Sequence, residues 1–188
     1  MPAPYEKPSF SSYALYECDR DTTSRLRGTR KDLADRSIGR NPSAISISSG
    51  ELSYTKEDIS IPHDSSFWDR HFDEWKSAID EGTAFFGAVD GEALSGFAIL
   101  KYNLQPGVDQ IMALYVDSGH RMSGIARSLF LEAQEAAKAK GAKRLYVSAT
   151  PTDAAVGFYI HQGFQPTSEP DALLFEKEPK NIHMIKSL

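Results

Sequence analysis

The chain has one cysteine, Cys18, in 188 residues. A lone thiol excludes an intramolecular disulfide and is the cysteine usage of a reducing compartment. Cys18 sits in a Glu-Cys-Asp-Arg segment with no recognisable helper, so it reads as a plain thiol, not a nucleophile. No apolar run approaches the roughly 20 residues that span a bilayer, and the opening MPAPYEKPSF lacks the apolar core of a secretory signal. Basic residues are also short: 21 Lys and Arg against 26 Asp and Glu leave a net charge of −5, the wrong sign for a surface that neutralises clustered phosphates. His63 and His71 have no metal-ligand spacing. Together these absences lead us to expect a soluble, cytoplasmic protein with no membrane, nucleic-acid or metal partner.

What is present is globular. Forty per cent of residues are apolar and 25% charged, values that suit one domain over residues 1–188 with a core of its own. Three prolines in the first eight residues make 1–9 an extended lead-in. Phe10–Cys18 reads as a strand and Thr22–Arg36 as a helix ended by Asn41-Pro42. Ser43–Ser49 and Glu51–Lys56 read as a hairpin. In Asp64–Glu81, Trp68, Phe72, Trp75 and Ile79 fall on one helical face, with Gly82 as the stop. That face is core or lid packing, with substrate lining as the alternative.

From Thr83 the pattern becomes regular. Strands Thr83–Val89 and Ala93–Tyr102 flank Asp90-Gly91, a hairpin signal. After Gln105-Pro106-Gly107 comes the strand Asp109–Val116. A helix over Ser123–Lys140 follows, closed by Gly141, with Ile125, Leu129, Phe130, Ala133 and Ala137 on its apolar face. Lys138, Lys140, Lys143 and Arg144 form a solvated basic patch at its end. Arg144–Ala149 is a strand, Thr152–Gln162 a helix with Thr152 suited to its N-cap, and Gln165–Thr167 and Ala172–Lys177 the last two strands. Antiparallel strands followed by alternating helices and strands imply an α/β (α+β mixed) domain, a mixed sheet flanked by helices.

The segment around which this order turns is LYVDSGHRMSGIA, Leu114–Ala126. A strand enters a short loop that holds Arg121, Met122, Ser123 and Gly124 and opens a helix at Ile125, Ala126 and Arg127. The first N–H groups of a helix have no internal partner and carry about half a positive charge. A small residue such as Gly124 lets an anion approach them, and Arg121 offers forked hydrogen bonds. The residues alone read equally well as a phosphate cradle or as an ordinary turn whose glycine relieves strain. No Gly-Lys-Ser/Thr or GxGxxG accompanies the loop.

About thirty residues on comes Ala155-Val156-Gly157-Phe158-Tyr159-Ile160-His161-Gln162-Gly163-Phe164. Read alone, Phe158 and Phe164 are core residues, Gly163 is a C-cap, and Tyr159 can be core as well. Read together, R-x-x-G-x-A at Arg121–Ala126 and A-x-x-F-Y-x-x-x-G-F at 155–164 resemble the paired motifs of the GCN5-related N-acetyltransferases (GNAT). The resemblance covers roughly Thr83–Lys177, and the ending LFEKEPKNIHMIKSL is similar to those of bacterial members.

The resemblance implies a splayed sheet in which Asp109–Val116 parts from Arg144–Ala149. Acetyl-coenzyme A (acetyl-CoA) would enter that opening, its pantetheine pairing with backbone at Leu114, Tyr115 and Val116. Its pyrophosphate would meet the loop from Arg121 and Met122 to Arg127, and Tyr159 would stand near the thioester sulfur. Two positions depart from the family pattern. Met112 stands where many relatives carry a glutamate base, which leaves Asp109 as the candidate base, with Glu92 and Asp117 as further carboxylates. Thr152 stands where relatives often carry an asparagine for the pantetheine arm. The expected activity is acetyl transfer from acetyl-CoA to a primary amine of a small molecule. The alternatives are a protein or peptide N-acetyltransferase and a non-catalytic acetyl-CoA sensor. Relatives are often homodimers, an arrangement open to this chain too.

Overall fold

The computed structural model describes residues 14–17, 44–48, 51–55, 74, 75, 77, 83–90 and 93–188. Cys18, His63, His71, the lead-in and the helix expected over Thr22–Arg36 lie outside them. The segment expected as an aromatic helix is described at Glu74, Trp75 and Ser77, all helical.

A hairpin of β2 (Ala44–Ser48) and β3 (Glu51–Thr55) forms a second sheet of two strands. The main sheet contains β1 (Ala14–Glu17), β4 (Ala84–Asp90), β5 (Ala93–Gln105), β6 (Val108–Val116), β7 (Arg144–Ala149), β8 (Gln165–Pro166) and β9 (Ile182–Ser187). Their spatial order is β1-β4-β5-β6-β7-β9-β8. Among the described residues only the β6–β7 pairing is parallel, as the helical crossover between those strands requires. The helices are α1 (Ile125–Ala139), α2 (Asp153–His161) and α3 (Ala172–Lys177). This is the mixed sheet flanked by helices that the element order implied.

The last of these helices corrects the expectation of a strand over Ala172–Lys177. The Asp171 side chain accepts a hydrogen bond from the Leu174 amide at 3.1 Å, capping the segment as a helix of six residues. The place in the sheet is taken instead by β9, whose Ile182 and Met184 are buried in the core.

Two cores form on the two faces of the sheet. On one, α1 lays its stripe of Ile125, Leu129, Phe130, Ala133 and Ala137 over Phe86, Ala98, Leu100, Ile111, Leu145 and Val147. Leu129 and Phe130 are fully buried, each stabilising by about 2 kcal/mol. On the other, Trp75 packs with Phe85, Phe97, Ile99 and Ala113. Its ring meets Phe97 edge-on at 5.4 Å and lies tilted against Tyr115 at 5.3 Å. The aromatic helix is therefore core packing at Trp75.

Candidate active site

The site begins with one surplus residue in β6. Ile99 pairs with Ala113 and Leu100 with Ile111, so Met112 has no opposite number on β5. Such a bulge bends its strand and turns side chains to a new face. Ile111 packs on the α1 side, Met112 and Ala113 both pack on the Trp75 side, and alternation then resumes with Leu114 and Val116 on the α1 side and Tyr115 opposite. The β6–β7 ladder covers only Val108–Arg144, Asp109–Leu145 and Gln110–Tyr146. Just before the bulge the two strands stop pairing. The backbone of β6 from Leu114 to Val116 thus faces an opening where a sheet would normally continue.

At the top of β6 the chain enters the glycine-containing loop. Asp117, buried, accepts from the Gly119 amide at 3.1 Å and meets His120 Nδ1 at 2.8 Å. His120 Nε2 lies 3.5 Å from Asp90 at the end of β4, which ties the loop to the sheet. The Ser123 hydroxyl donates to the His120 carbonyl. Met122 (φ 64) and Gly124 (φ 85) both adopt the left-handed conformation. Met122 does so as a fully exposed side chain, a cost of about 1 kcal/mol for a residue with a Cβ. Gly124 is the N-cap of α1, and no described side chain caps that helix. The N–H groups of Ile125 and Ala126 thus meet the loop with no described side chain capping them, and Arg121 is exposed beside them.

Helix α2 supplies the other wall. Thr152 is its N-cap, its hydroxyl oxygen accepting from the Ala155 amide at 3.2 Å, as the sequence suggested. Tyr159 is buried, 7% exposed, with its ring against Phe158 and Phe164 at 5.3 Å each. Burial, and then the Tyr115 hydroxyl, push its phenol well above the ordinary 10.0. Tyr115 is raised likewise, by burial and then by the Glu178 carboxylate. The two phenols are close enough to influence each other, from α2 on one face and from β6 on the other.

Asp109 is brought to none of this. It pairs with Leu145 in the closed part of the ladder, below the opening and on the α1 side. There it borders a cavity of about 330 Å³ near the end of α1, lined also by Asn103, Lys140 and Ala142. Its Oδ1 accepts from the Asn103 amide at 2.8 Å, and Asn103 is left-handed at φ 55. This carboxylate holds the β5–β6 turn together. Asp117, the other described carboxylate weighed as a base, is occupied by the Gly119 and His120 contacts.

The structure adds residues that the motifs did not mark. On β7, Tyr146 and Ser148 face away from the α1 core, and Ser148 pairs with His183 of β9. The buried Tyr146 hydroxyl meets His183 Nδ1 at 2.6 Å and accepts from the Asp171 amide at 3.1 Å. His183 Nε2 reaches the Glu178 carbonyl at 3.2 Å. With Nε2 donating there, Tyr146 donates to Nδ1.

Residues 51–164, more than half of the chain, match the Acetyltransferase (GNAT) family. The chain belongs to that family. No match was found among the curated proteins. Among solved structures, the GNAT chain is similar to the PaiA N-acetyltransferase of Thermoplasma acidophilum in complex with coenzyme A, at 18% identity and TM-score 0.65, covering 94% of this chain and 99% of that one. Nourseothricin acetyltransferase aligns at 18% identity and TM-score 0.65, covering 94% and 98%. The ribosomal-protein-S18-alanine N-acetyltransferase of Escherichia coli aligns at 13% and 0.58, covering 93% of each chain. At these identities the likeness is one of fold. Family membership supports acetyl-CoA-dependent acetyltransferase activity, and the names of these relatives span small-molecule and protein acceptors. No helix among the described residues is long and apolar enough to cross a membrane.

Proposed function

We propose that the protein transfers the acetyl group of acetyl-CoA to a primary amine of a small molecule. The observation that carries the reading is the opening between β6 and β7, with an uncapped helix N-terminus at its upper end and a buried tyrosine beside it. In this reading the pantetheine arm takes the place of the missing strand partner along Leu114, Tyr115 and Val116. The pyrophosphate meets the amides from Met122 to Arg127, Ser123 and Gly124 included, with Arg121 adding charge-assisted bonds. Thr152 keeps its cap and retains a hydroxyl proton to give the arm.

Acetyl transfer joins the amine nitrogen to the thioester carbon and releases a thiolate. A backbone N–H of β6 past the bulge is aimed to steady the oxyanion, a contribution of about 3 kcal/mol for one such donor. The Tyr159 phenol stands to hydrogen-bond the departing sulfur and protonate it. A free thiol has a pKa of about 8.5, below that of the raised phenol. The same burial also raises the pKa of a thiol leaving beside Tyr159, which narrows the gap between the two. A coenzyme sensor without catalysis is the second reading, favoured by Met112 where a carboxylate base would stand on β6.

Thiol release from acetyl-CoA across polyamines, aminoglycosides, amino acids and peptides separates them. We expect amine-dependent release that falls about a hundredfold or more in Tyr159→Phe with unchanged coenzyme affinity. Coenzyme binding with no release from any amine would support the sensor. Equal losses of binding and turnover in the variant would give Tyr159 a packing role.

A further inference from the structure

The acetyltransferase reading leaves the acceptor's proton without a destination, because an amine arrives as ammonium and only its neutral form attacks. Met112 cannot take it, and Asp109 lies below the opening on the wrong face. The described carboxylate that does reach the acceptor face past the opening comes from the end of the chain.

Glu178 is the C-cap of α3, and its backbone is held from three sides. Its amide donates to the Leu174 carbonyl at 2.8 Å, and its carbonyl accepts from the Asn181 amide at 3.1 Å and faces His183 Nε2 at 3.2 Å. Its side chain is held too: Oε2 accepts from Asn181 Nδ2 at 3.1 Å. That same Nδ2 lies 3.5 Å from the Ser148 carbonyl, two residues past the last β6–β7 pair at Tyr146. Oε1 is bonded by no described residue, and Glu178 is half-buried. Its carboxylate faces Tyr115 and Tyr146 closely enough to raise both phenols. The Ser148 hydroxyl oxygen, on the same face of β7, is buried without a described partner. One carboxylate oxygen and one hydroxyl are thus left unmatched on the acceptor side, across Tyr115 from Tyr159.

We propose that Glu178 is the general base, its free oxygen taking the proton from the acceptor ammonium while the Ser148 hydroxyl accepts a hydrogen bond from the same nitrogen. The neutral nitrogen then bonds the thioester carbon, the C–S bond breaks, and Tyr159 protonates the sulfur. The amide nitrogen sheds its second proton, which restores Tyr159 through solvent, and Glu178 returns its own proton to water. The charged and titratable groups around Glu178 are Tyr115 on β6, Tyr146 on β7, His183 on β9, and Asp171 and Lys177 on α3, with Lys177 paired to Glu74.

The inference rests on the acetyltransferase reading, and the experiment separates the two. Thiol release is followed between about pH 6 and about pH 9.5, using whichever of spermidine, kanamycin and a lysine peptide the wild-type protein acetylates fastest. We expect Glu178→Gln to lower kcat at neutral pH by about a hundredfold while the KM for acetyl-CoA and the melting temperature stay put. The residual rate should climb throughout the range, tracking the acceptor's own ionisation, where the wild type levels off. Asn181→Ala, which keeps the carboxylate but unties it, should lose about tenfold in kcat with the wild-type plateau retained. A Glu178→Gln profile that superimposes on the wild type overturns the assignment while leaving acetyl transfer intact. A loss confined to the KM for acetyl-CoA also overturns it. If Glu178→Gln fails to fold, an unchanged kcat in Asn181→Ala is the overturning result. Wild-type silence on all three amines with no coenzyme binding removes the acetyltransferase reading, and the base with it.

Discussion

Asp109 and Tyr159 are both buried polar residues beside the same pair of strands, and their surroundings give them opposite work. Replacing Asp109 by Ala removes the acceptor for the Asn103 amide, and a buried donor left alone costs about 1–3 kcal/mol. Thermal unfolding should register that loss while the pH profile of turnover stays unmoved. Tyr159 carries a pH signature instead. Its folded pKa is raised above the unfolded 10.0, so the neutral phenol's contribution is intact below that value. It is lost as pH rises from there towards the folded value. Stability should therefore be level through neutral pH and fall above about pH 10, and Tyr159→Phe should shallow that fall. Gly157 offers a third check, since a Cβ there would meet nothing within 4 Å. Gly157→Ala in the middle of α2 should raise stability by about 0.5–1 kcal/mol. A drop in coenzyme affinity alongside that gain would mean the bare Cα faces the pantetheine.

At the scale of elements, the end of β6 and the start of α1 meet β5 at one point, Gly96. A Cβ on Gly96 would fall 2.8 Å from the Tyr115 carbonyl oxygen and 3.0 Å from Ile125 Cγ2. The first contact is backbone and cannot yield cheaply. Gly96→Ala should cost about 1–3 kcal/mol and weaken acetyl-CoA binding by pushing β6 and the first turn of α1 apart, which calorimetry would detect. Most of these elements were legible in the sequence because their signals are local. Asp90-Gly91 marks a hairpin, the spacing from Ile125 to Ala137 marks a helix face, and Thr152 before Asp153 marks a cap. The bulge was not legible, since a surplus residue exists only relative to the partner strand, and Met112 looks like any apolar strand residue. Helix α3 was misread because Ala-Leu-Leu-Phe-Glu-Lys is apolar enough for either state, and the choice falls to one hydrogen bond from Asp171. The place of Asp109 in the sheet is hidden for a related reason. Alternation says that neighbours point apart, but not which face meets the acceptor.

At the scale of the molecule, the described residues form two cores, one on each face of the sheet. One face carries α1 and the glycine loop, suited to a phosphorylated ligand. The other carries Trp75, Tyr115, Tyr146 and α3, the face on which we propose that the acceptor binds. The paired motifs lie in contiguous residues, Arg121–Ala126 and 155–164. The second face is assembled from β6, β7, β9 and the chain's last twenty residues, and no short pattern gathers them. The most direct measurement of the central claim is amide hydrogen exchange with and without acetyl-CoA. The expected result is new protection at Leu114–Val116 and Met122–Arg127, with Val108–Gln110, already paired to β7, unchanged. Protection around the Asp109 cavity with none at Leu114–Val116 would contradict the account, because the coenzyme would then bind somewhere other than the opening that the bulge creates.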